Sequence, residues 1–551
     1  MEFNIADLFE CVADAVPERE AAVCRDDRCT YAELDERATR LAHALRAAGV
    51  GVGDHVGLYL RNSVAHLEVM LACYKARAVP ININYRYVTE ELQYLCDDAD
   101  LVALFHDADT ADHVAALGAP ALVLTVTAGS PTYEALVESG TGDRDLGPRS
   151  PDDRYVLYTG GTTGRPKGVV WRQEDMFFGG LGSGNPGGPP ITTPEEIRAS
   201  VLENPAQRLR AFLPPGDTVP QFVSLALGPL MHASGQWSAL GTLLGGGKVV
   251  LYGEAHVDME LVLDLLERER VNACNLVGDA SARPMLAALA AHPGRWDLSA
   301  LRLLGSGGSI LSGDVKDALM VAIPSVLAIV EGIGSSESPA QAVALTTRNG
   351  APSASLTFAA KADTMVVDET TLRPIAPGRG IVGRLATRGR VPLGYYKDPE
   401  RSARTFVEID GERWSLPGDM ATIDADGTVH LLGRGALCIN TGGEKVYPEE
   451  VEAVLKQHPA VGDAVVVGEP DEQYGQRVVA LVAPADGVAA PDLESVQTHS
   501  RAHLAGYKVP RALYLTTAIP RSPAGKADYA WARELITTIA SGVGRGAEPS
   551  R

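Results

Sequence analysis

Apolar and polar positions alternate between two periods along most of the chain. Thr30-Tyr31-Ala32-Glu33 fits a capping box, and Leu34, Ala38, Leu41 and Leu45 then recur at helical spacing until Gly49. That spacing predicts a helix with one buried stripe. After the Gly53-Asp54 turn, His55-Val56-Gly57-Leu58-Tyr59-Leu60 reads as a buried strand, and a further helical stretch runs through Met70 and Tyr74. Strands and helices alternate in this way to about Leu146. A cluster of Gly, Asp, Arg, Ser and Pro then precedes the strand Tyr155-Val156-Leu157-Tyr158. The stretch between Gly179 and Pro194 is too rich in glycine and proline to build a packed element and predicts a surface excursion. A second α/β stretch follows. The pattern shifts again at Leu431-Leu432-Gly433-Arg434-Gly435, with about one small domain of chain beyond it. There Pro448-Glu449-Glu450 opens a helix burying Val451, Val454 and Leu455, and the apolar runs Ala464 to Val467 and Val478 to Val482 read as strands. No internal repeat is visible.

The expected fold is therefore α/β: a large N-terminal body of several parts over residues 1–436, and a small α+β C-terminal domain, expected to be mobile, over 437–551. A chain of 551 residues with 45% apolar and 22% charged residues is ordinary for a globular protein, and no apolar run is long enough to span a membrane. The acidic start Met1-Glu2-Phe3-Asn4-Ile5-Ala6-Asp7 lacks the basic and apolar regions of a secretory signal. Seven cysteines without a Cys-x-x-Cys pair argue against a disulfide framework or a zinc site. Reduced thiols and a cytoplasmic location are the expectation. With 70 acidic against 49 basic residues, the net charge of -21 disfavours a nucleic-acid partner.

Tyr158-Thr159-Gly160-Gly161-Thr162-Thr163-Gly164-Arg165-Pro166-Lys167-Gly168 concentrates glycine, threonine and cations. Backbone N–H groups and hydroxyls could wrap phosphates here while Lys167 supplies charge. The spacing is not that of a Walker loop, and the segment runs on into Val169-Val170-Trp171, which favours a strand. A plain glycine hairpin is the ordinary alternative.

The whole string closely resembles the signature of the adenylate-forming superfamily, which includes acyl-CoA synthetases, nonribosomal adenylation domains and luciferases. Matches continue in order over nearly the whole chain, so the resemblance implies that family's two-domain fold, with ATP, Mg²⁺ and coenzyme A as cofactors. It assigns nucleotide contacts to Thr159, Gly160, Gly161, Thr162, Thr163, Gly164 and Lys167, and to Gly308 in the segment Gly305-Ser306-Gly307-Gly308-Ser309. A second nucleotide segment matches Glu331-Gly332-Ile333-Gly334-Ser335-Ser336-Glu337. In it Glu337 would hold Mg²⁺, and Ile333 stands where the family has an aromatic against adenine, so only apolar contact from its side chain is expected. Asp419 in Trp414-Ser415-Leu416-Pro417-Gly418-Asp419 would bind the ribose hydroxyls, as a two-oxygen acceptor can. Arg434 would also reach the nucleotide. Lys526 in Arg521-Ser522-Pro523-Ala524-Gly525-Lys526 is the implied catalytic cation as the carboxylate attacks the α-phosphate. Gly442, Gly443 and Glu444 match the motif that serves the CoA side, and His232 matches a residue lining the carboxylate end of the acyl pocket.

Three places depart from the family pattern. They are Ile333, the hinge segment Gly433-Arg434-Gly435-Ala436-Leu437, where two charged positions of the family, at Ala436 and Leu437, are apolar, and Gln173, where histidine is expected in steroid-acid relatives. The motif set looks most like actinobacterial ligases for bulky polycyclic acids. Steroid side-chain acids and diterpenoid acids are substrates of that group, and the ligase pair of the platensimycin and platencin pathway is one resemblance within it. The resemblance implies an ATP-dependent acid–thiol ligase acting on a carboxylic acid. The departures raise an alternative: weak adenylation, with transfer to CoA from an acyl-adenylate supplied by a companion adenylating ligase. A carrier-protein thiol as acceptor, a nucleotide-binding relative without turnover, and a phosphotransferase are further alternatives.

Overall fold

The computed structural model describes the chain except residues 119–120, 161–164, 184–189, 204–206, 211, 214–215, 218, 220, 308–310, 312, 349–356, 435–438, 447, 486, 521–528 and 541–551. It is a mixed α/β protein with a large N-terminal body and a C-terminal domain. Two compact units are present. One comprises Met1–Tyr85, Leu95–Thr159 and Gly168–Leu432; the other comprises Gly433–Arg551 together with Arg86–Tyr94 and Gly160–Lys167. The two short segments of the second unit lie inside what the sequence pattern assigns to the N-terminal body.

In the first unit the capping box forms as expected. Thr30 Oγ1 accepts from Glu33 N at 3.2 Å, Glu33 Oε2 accepts from Thr30 N at 2.8 Å, and the helix Tyr31–Ala47 buries Leu34, Ala38, Leu41 and Leu45. Gly49, just past its end, has φ +96°, a conformation that glycine adopts without strain. The strand His55–Tyr59 is buried along its whole length and pairs in parallel with Val79–Asn82 and Leu101–His106; Leu124–Thr127 completes a four-stranded parallel sheet.

A fifteen-stranded sheet forms most of the rest of this unit's framework. Its parallel run passes through Glu20–Cys24, Lys248–Leu251, Val223–Ala226, Ala273–Leu276, Leu303–Gly307 and Ala328–Ser335. Beyond Ala328–Ser335 the pairing becomes antiparallel, starting with Ser338–Thr347. Ligands of open parallel sheets sit at the carboxyl ends of the strands. In this sheet those ends are the regions of Ala226, Leu276, Gly307 and Ser335.

In the second unit, the runs predicted as strands are Val461–Asp471 and Gly475–Pro484, paired antiparallel. They are continuous apolar runs because both faces are covered. Ala464, Val466, Val478, Ala480 and Val482 pack with Val451 and Leu455 of the helix Pro448–Leu455, while Val465, Val467, Val479 and Leu481 pack with Ala532 and Ile536 of the helix Tyr529–Ala540.

Candidate functional site

Within the first unit the candidate Glu337 stands in a two-residue hairpin turn. Ser335 pairs with Ser338, so Ser336 and Glu337 form the turn where the sheet changes from parallel to antiparallel. Glu337 is 4% exposed. An ionised carboxylate so buried needs partners. Tyr395 Oη donates to Glu337 Oε1 at 2.7 Å and Ser415 Oγ donates to the Glu337 carbonyl at 2.9 Å. The preceding carbonyl, of Ser336, accepts from Trp171 Nε1 at 3.0 Å. Burial, and then the charge of Glu337 beside it, push the Tyr395 hydroxyl well above the usual phenol range, which keeps it a donor.

The strand Pro166–Arg172, which leaves the phosphate loop, forms a three-stranded sheet with Arg154–Gly160 and Gly394–Tyr395. Gly168 has to be glycine, because a Cβ there would stand 2.7 Å from the Tyr158 ring. Asn82 fixes the other strand: its Nδ2 donates to Tyr158 O at 2.8 Å and Met231 O at 2.6 Å, and its Oδ1 accepts from Tyr158 N at 2.7 Å. One buried amide thereby ties the entry to the loop to the segment before His232. Thr159 is half-buried at the end of that strand, while Gly161, Thr162, Thr163 and Gly164 lie outside the described residues.

His232 caps the helix Ala233–Leu244 with extended backbone and is half-buried. A turn later Trp237 Nε1 donates to Tyr155 Oη at 3.0 Å, and Tyr155 Oη donates to Gln236 Oε1. Asp419 is 7% exposed and opens the strand Asp419–Ile423; Gly418 before it has φ +101°, which turns the chain after Pro417 and delivers the aspartate. Four residues earlier is Ser415, which holds Glu337.

In the second unit, Lys167 is half-buried, and its neighbour Arg165 lies over the Tyr94 ring at 4.7 Å. The strands Ile439–Thr441 and Glu444–Val446 form a hairpin whose turn is Gly442-Gly443, with φ of +58° and +83°. Gly442 N donates to Tyr474 O at 3.0 Å, and a Cβ on Gly442 would come within 3.1 Å of the Tyr474 ring. Glu444 Oε1 accepts from Arg86 Nη1 at 2.5 Å. Arg434 ends the strand Thr428–Arg434; Lys526 lies outside the described residues, as do Gly308 and Leu437.

The pattern that defines AMP-binding enzymes matches residues 9–396, and that of their C-terminal domain matches residues 450–526. This chain belongs to the AMP-binding enzyme family. It is 43% identical over 97% of its length to the Rhodococcus rhodochrous protein named 3-oxocholest-4-en-26-oate–CoA ligase, covering 96% of that chain. It is 41% identical, over 97% of each chain, to the Mycolicibacterium smegmatis protein named medium/long-chain-fatty-acid–CoA/3-oxocholest-4-en-26-oate–CoA ligase. Among solved structures, the amide bond synthetase McbA of Marinactinospora thermotolerans superposes with a TM-score of 0.73 at 27% identity, covering 96% of this chain and 99% of that one. The o-succinylbenzoate CoA synthetase of Bacillus subtilis shares the fold, with a TM-score of 0.74 at 22% identity over 96% and 98% of the two chains.

Three positions singled out in the sequence, Ile333, Glu331 and Gln173, are engaged in packing. Ile333 does not offer its side chain to a base. In Ala328–Ser335 the side-chain alternation leaves Gly332 and Gly334 exposed and turns Ile333, 6% exposed, into a core with Ala342, Phe358, Val366 and Val429. The open face is bare backbone instead. Gly332 pairs with Gly307; among the described residues no atom lies within 4 Å of a Cβ position on Gly332, and only Gly332 O, at 3.9 Å, approaches one on Gly307. Glu331 gives its carboxylate to Lys316 Nζ at 2.7 Å, and both side chains are buried. That ion pair is a packing feature under the strand, where an unpaired charge would be costly. Gln173 is also structural: fully buried, its Oε1 accepts from Ile5 N at 2.8 Å and its Nε2 donates to Arg154 O at 3.3 Å. It ties the first helix, Ile5–Ala15, to the strand Arg154–Gly160.

The sequence reading missed Asn82, Trp171, Tyr395 and Ser415. Trp171 and Ser415 stood inside quoted motifs, but only the fold reveals what their polar atoms reach. Among the described residues no group of three or more His, Cys, Asp or Glu side chains could hold a metal ion on its own. A single buried carboxylate suits Mg²⁺ arriving on nucleotide phosphates, because that ion keeps its waters and takes one or two protein oxygens.

Proposed function

We propose that this AMP-binding enzyme is an AMP-forming acyl-CoA ligase for a bulky, polycyclic carboxylic acid of the steroid or diterpenoid kind. The observation that carries the reading is the turn at Ser336-Glu337: a buried carboxylate that accepts from Tyr395, on a turn whose two backbone carbonyls accept from Ser415 and Trp171, at the carboxyl end of a parallel strand. The substrate class is supported by the likeness to ligases named for 3-oxocholest-4-en-26-oate over nearly the whole length of both chains.

In this reading the base of ATP lies on the bare backbone of Gly307 and Gly332, and Asp419 accepts from the ribose hydroxyls. Glu337 would supply a carboxylate oxygen to Mg²⁺, which when bound would neutralise phosphate charge. A carboxylate oxygen of the acid attacks the α-phosphorus and the bond to pyrophosphate breaks, giving acyl-AMP. Lys167 and Lys526 provide positive charge, the effect that counts most for such a transition state. His232 borders the reacting carboxylate. In the second step the CoA thiolate attacks the acyl carbonyl and AMP leaves, with the hairpin at Gly442, Gly443 and Glu444 serving the thiol side and Arg434 the nucleotide. The reaction belongs in the cytoplasm; Cys11, Cys24, Cys29, Cys73, Cys96 and Cys274 are free thiols, in keeping with a reducing compartment.

Because Gln173 and Ile333 are accounted for by packing, neither supports a defect in adenylation or the need for a companion ligase. Mass spectrometry of a panel of acids incubated with ATP and CoA tests the reading. Steroid-like acids are expected to yield acyl-CoA, AMP and pyrophosphate. ADP as product, or thioester on phosphopantetheinylated carriers but not on CoA, would refute it.

A further inference from the structure

The strand Pro166–Arg172 grips the Ser336-Glu337 turn at two points. One is direct, from Trp171 Nε1 to Ser336 O. The other runs through its neighbour: Tyr395 pairs with Val169 across the antiparallel ladder, and Tyr395 Oη reaches Glu337 Oε1 at 2.7 Å. Residues opposite each other across a ladder share a face, and so do residues two apart on one strand. Tyr395, Val169 and Trp171 therefore lie on one face of this small sheet and present two donors to the same turn.

Tyr395 is itself held firmly. It is 6% exposed, its backbone N donates to Ser402 Oγ at 2.8 Å, and its ring packs on Phe406 with centroids 5.3 Å apart. Ser415 Oγ, on a different strand, fixes the Glu337 backbone at 2.9 Å. A buried carboxylate could satisfy its hydrogen bonds in many ways. Here the donor comes from the strand paired with the one that leaves the phosphate loop, so the carboxylate's orientation is tied by that ladder to the loop's exit.

We propose that Tyr395 is a positioning residue for the adenylation half-reaction: its hydroxyl fixes the direction in which Glu337 presents its carboxylate to the cation carried by ATP. The inference rests on the ligase reading above and on Glu337 as the cation's protein ligand. It predicts a selective effect. Adenylation needs the cation and Glu337, whereas transfer of a preformed adenylate to CoA does not.

The test uses the full chain with Tyr395→Phe, which removes only the hydroxyl. Three readouts are taken: binding of Mn²⁺ in the presence of ATP by electron paramagnetic resonance, acid-dependent pyrophosphate–ATP exchange, and thioester formation from a presynthesised acyl-adenylate and CoA. Loss of a charge-assisted hydrogen bond should weaken Mn²⁺ binding by about tenfold and slow exchange by about 10- to 100-fold. Transfer from the adenylate should stay within about twofold of wild type, and in a Glu337→Gln background Tyr395→Phe should add less than about twofold to the loss, because coupled residues do not add. Ser415→Ala, which releases the backbone of the same turn, should act in the same direction and serves if Tyr395→Phe folds poorly. Wild-type Mn²⁺ affinity and exchange in both variants would overturn the proposal. So would equal loss of exchange and transfer, which marks a general folding defect, or a wild-type enzyme that binds no Mn²⁺ with ATP. If the wild type binds Mn²⁺ with ATP but forms no adenylate from any acid, the ligase reading fails, while the Mn²⁺ comparison still reports on Tyr395.

Discussion

Glu337 and Gln173 are both buried, yet their partners give them opposite meanings. Glu337 is held by side chains from other strands at a strand's carboxyl end, where a ligand can approach. Gln173 spends its amide on two backbone groups, one of them at the start of the first helix. Substitution should separate them. Gln173→Ala leaves the Ile5 N–H without its acceptor and should lower stability by about 1–3 kcal/mol, read by denaturant unfolding, with the KM for ATP unchanged. Asp419→Ala should reduce kcat/KM for ATP by about 10- to 100-fold, the scale of a lost hydrogen bond to a charged group. In sequence, Gln173 read as a departure beside a catalytic motif and Ile333 as a substituted aromatic. The sequence left both engagements unreadable for one reason: a motif fixes position along the chain, and the direction of a side chain follows only from which faces are covered.

At the scale of elements, local chemistry was readable wherever the signal is local. The capping box at Thr30 and Glu33, the helix at Pro448 and the apolar runs around Val466 and Ala480 all became the elements their patterns predict. The Gly442-Gly443 turn combines positive φ with close approach to Tyr474. Gly443→Ala should therefore strain the hairpin, and it is expected to slow transfer from a presynthesised adenylate to CoA more than it slows pyrophosphate exchange. Long-range polar networks were not readable. Glu269, 3% exposed, accepts from its neighbour Arg268, from Lys248, and from Arg28 at a separation of 241 residues. Burial alone would raise its pKa, but hydrogen bonds from Arg28, Arg268 and Lys248 outweigh that and hold it at about 2. A depressed carboxylate stabilises the fold above its unfolded pKa of about 4.5 and loses that contribution as pH falls toward 2. Glu269→Gln should therefore lower stability at pH 7 and flatten the acid limb of a stability–pH profile between about pH 5 and 2.

For the molecule as a whole, the alternation of strands and helices indicated an α/β body with a smaller C-terminal domain, and the ordered motifs indicated the family. The sheet connectivity was not legible, because pairing such as Glu20–Cys24 with Lys248–Leu251 joins segments more than two hundred residues apart. That connectivity is what brings Gly307, Gly332, Glu337 and Asp419 onto one framework. It also places Tyr395, which lay in no motif, and Ser415, whose motif pointed only to Asp419, on Glu337. The central claim is that this framework makes its own acyl-adenylate. Acid-dependent exchange of labelled pyrophosphate into ATP, run without CoA on the wild-type chain with a steroid side-chain acid, tests it most directly. The account predicts exchange that requires the acid and a divalent cation and is strongly reduced in Glu337→Gln. No exchange with any acid, while a presynthesised adenylate is still converted to its CoA thioester, would contradict it.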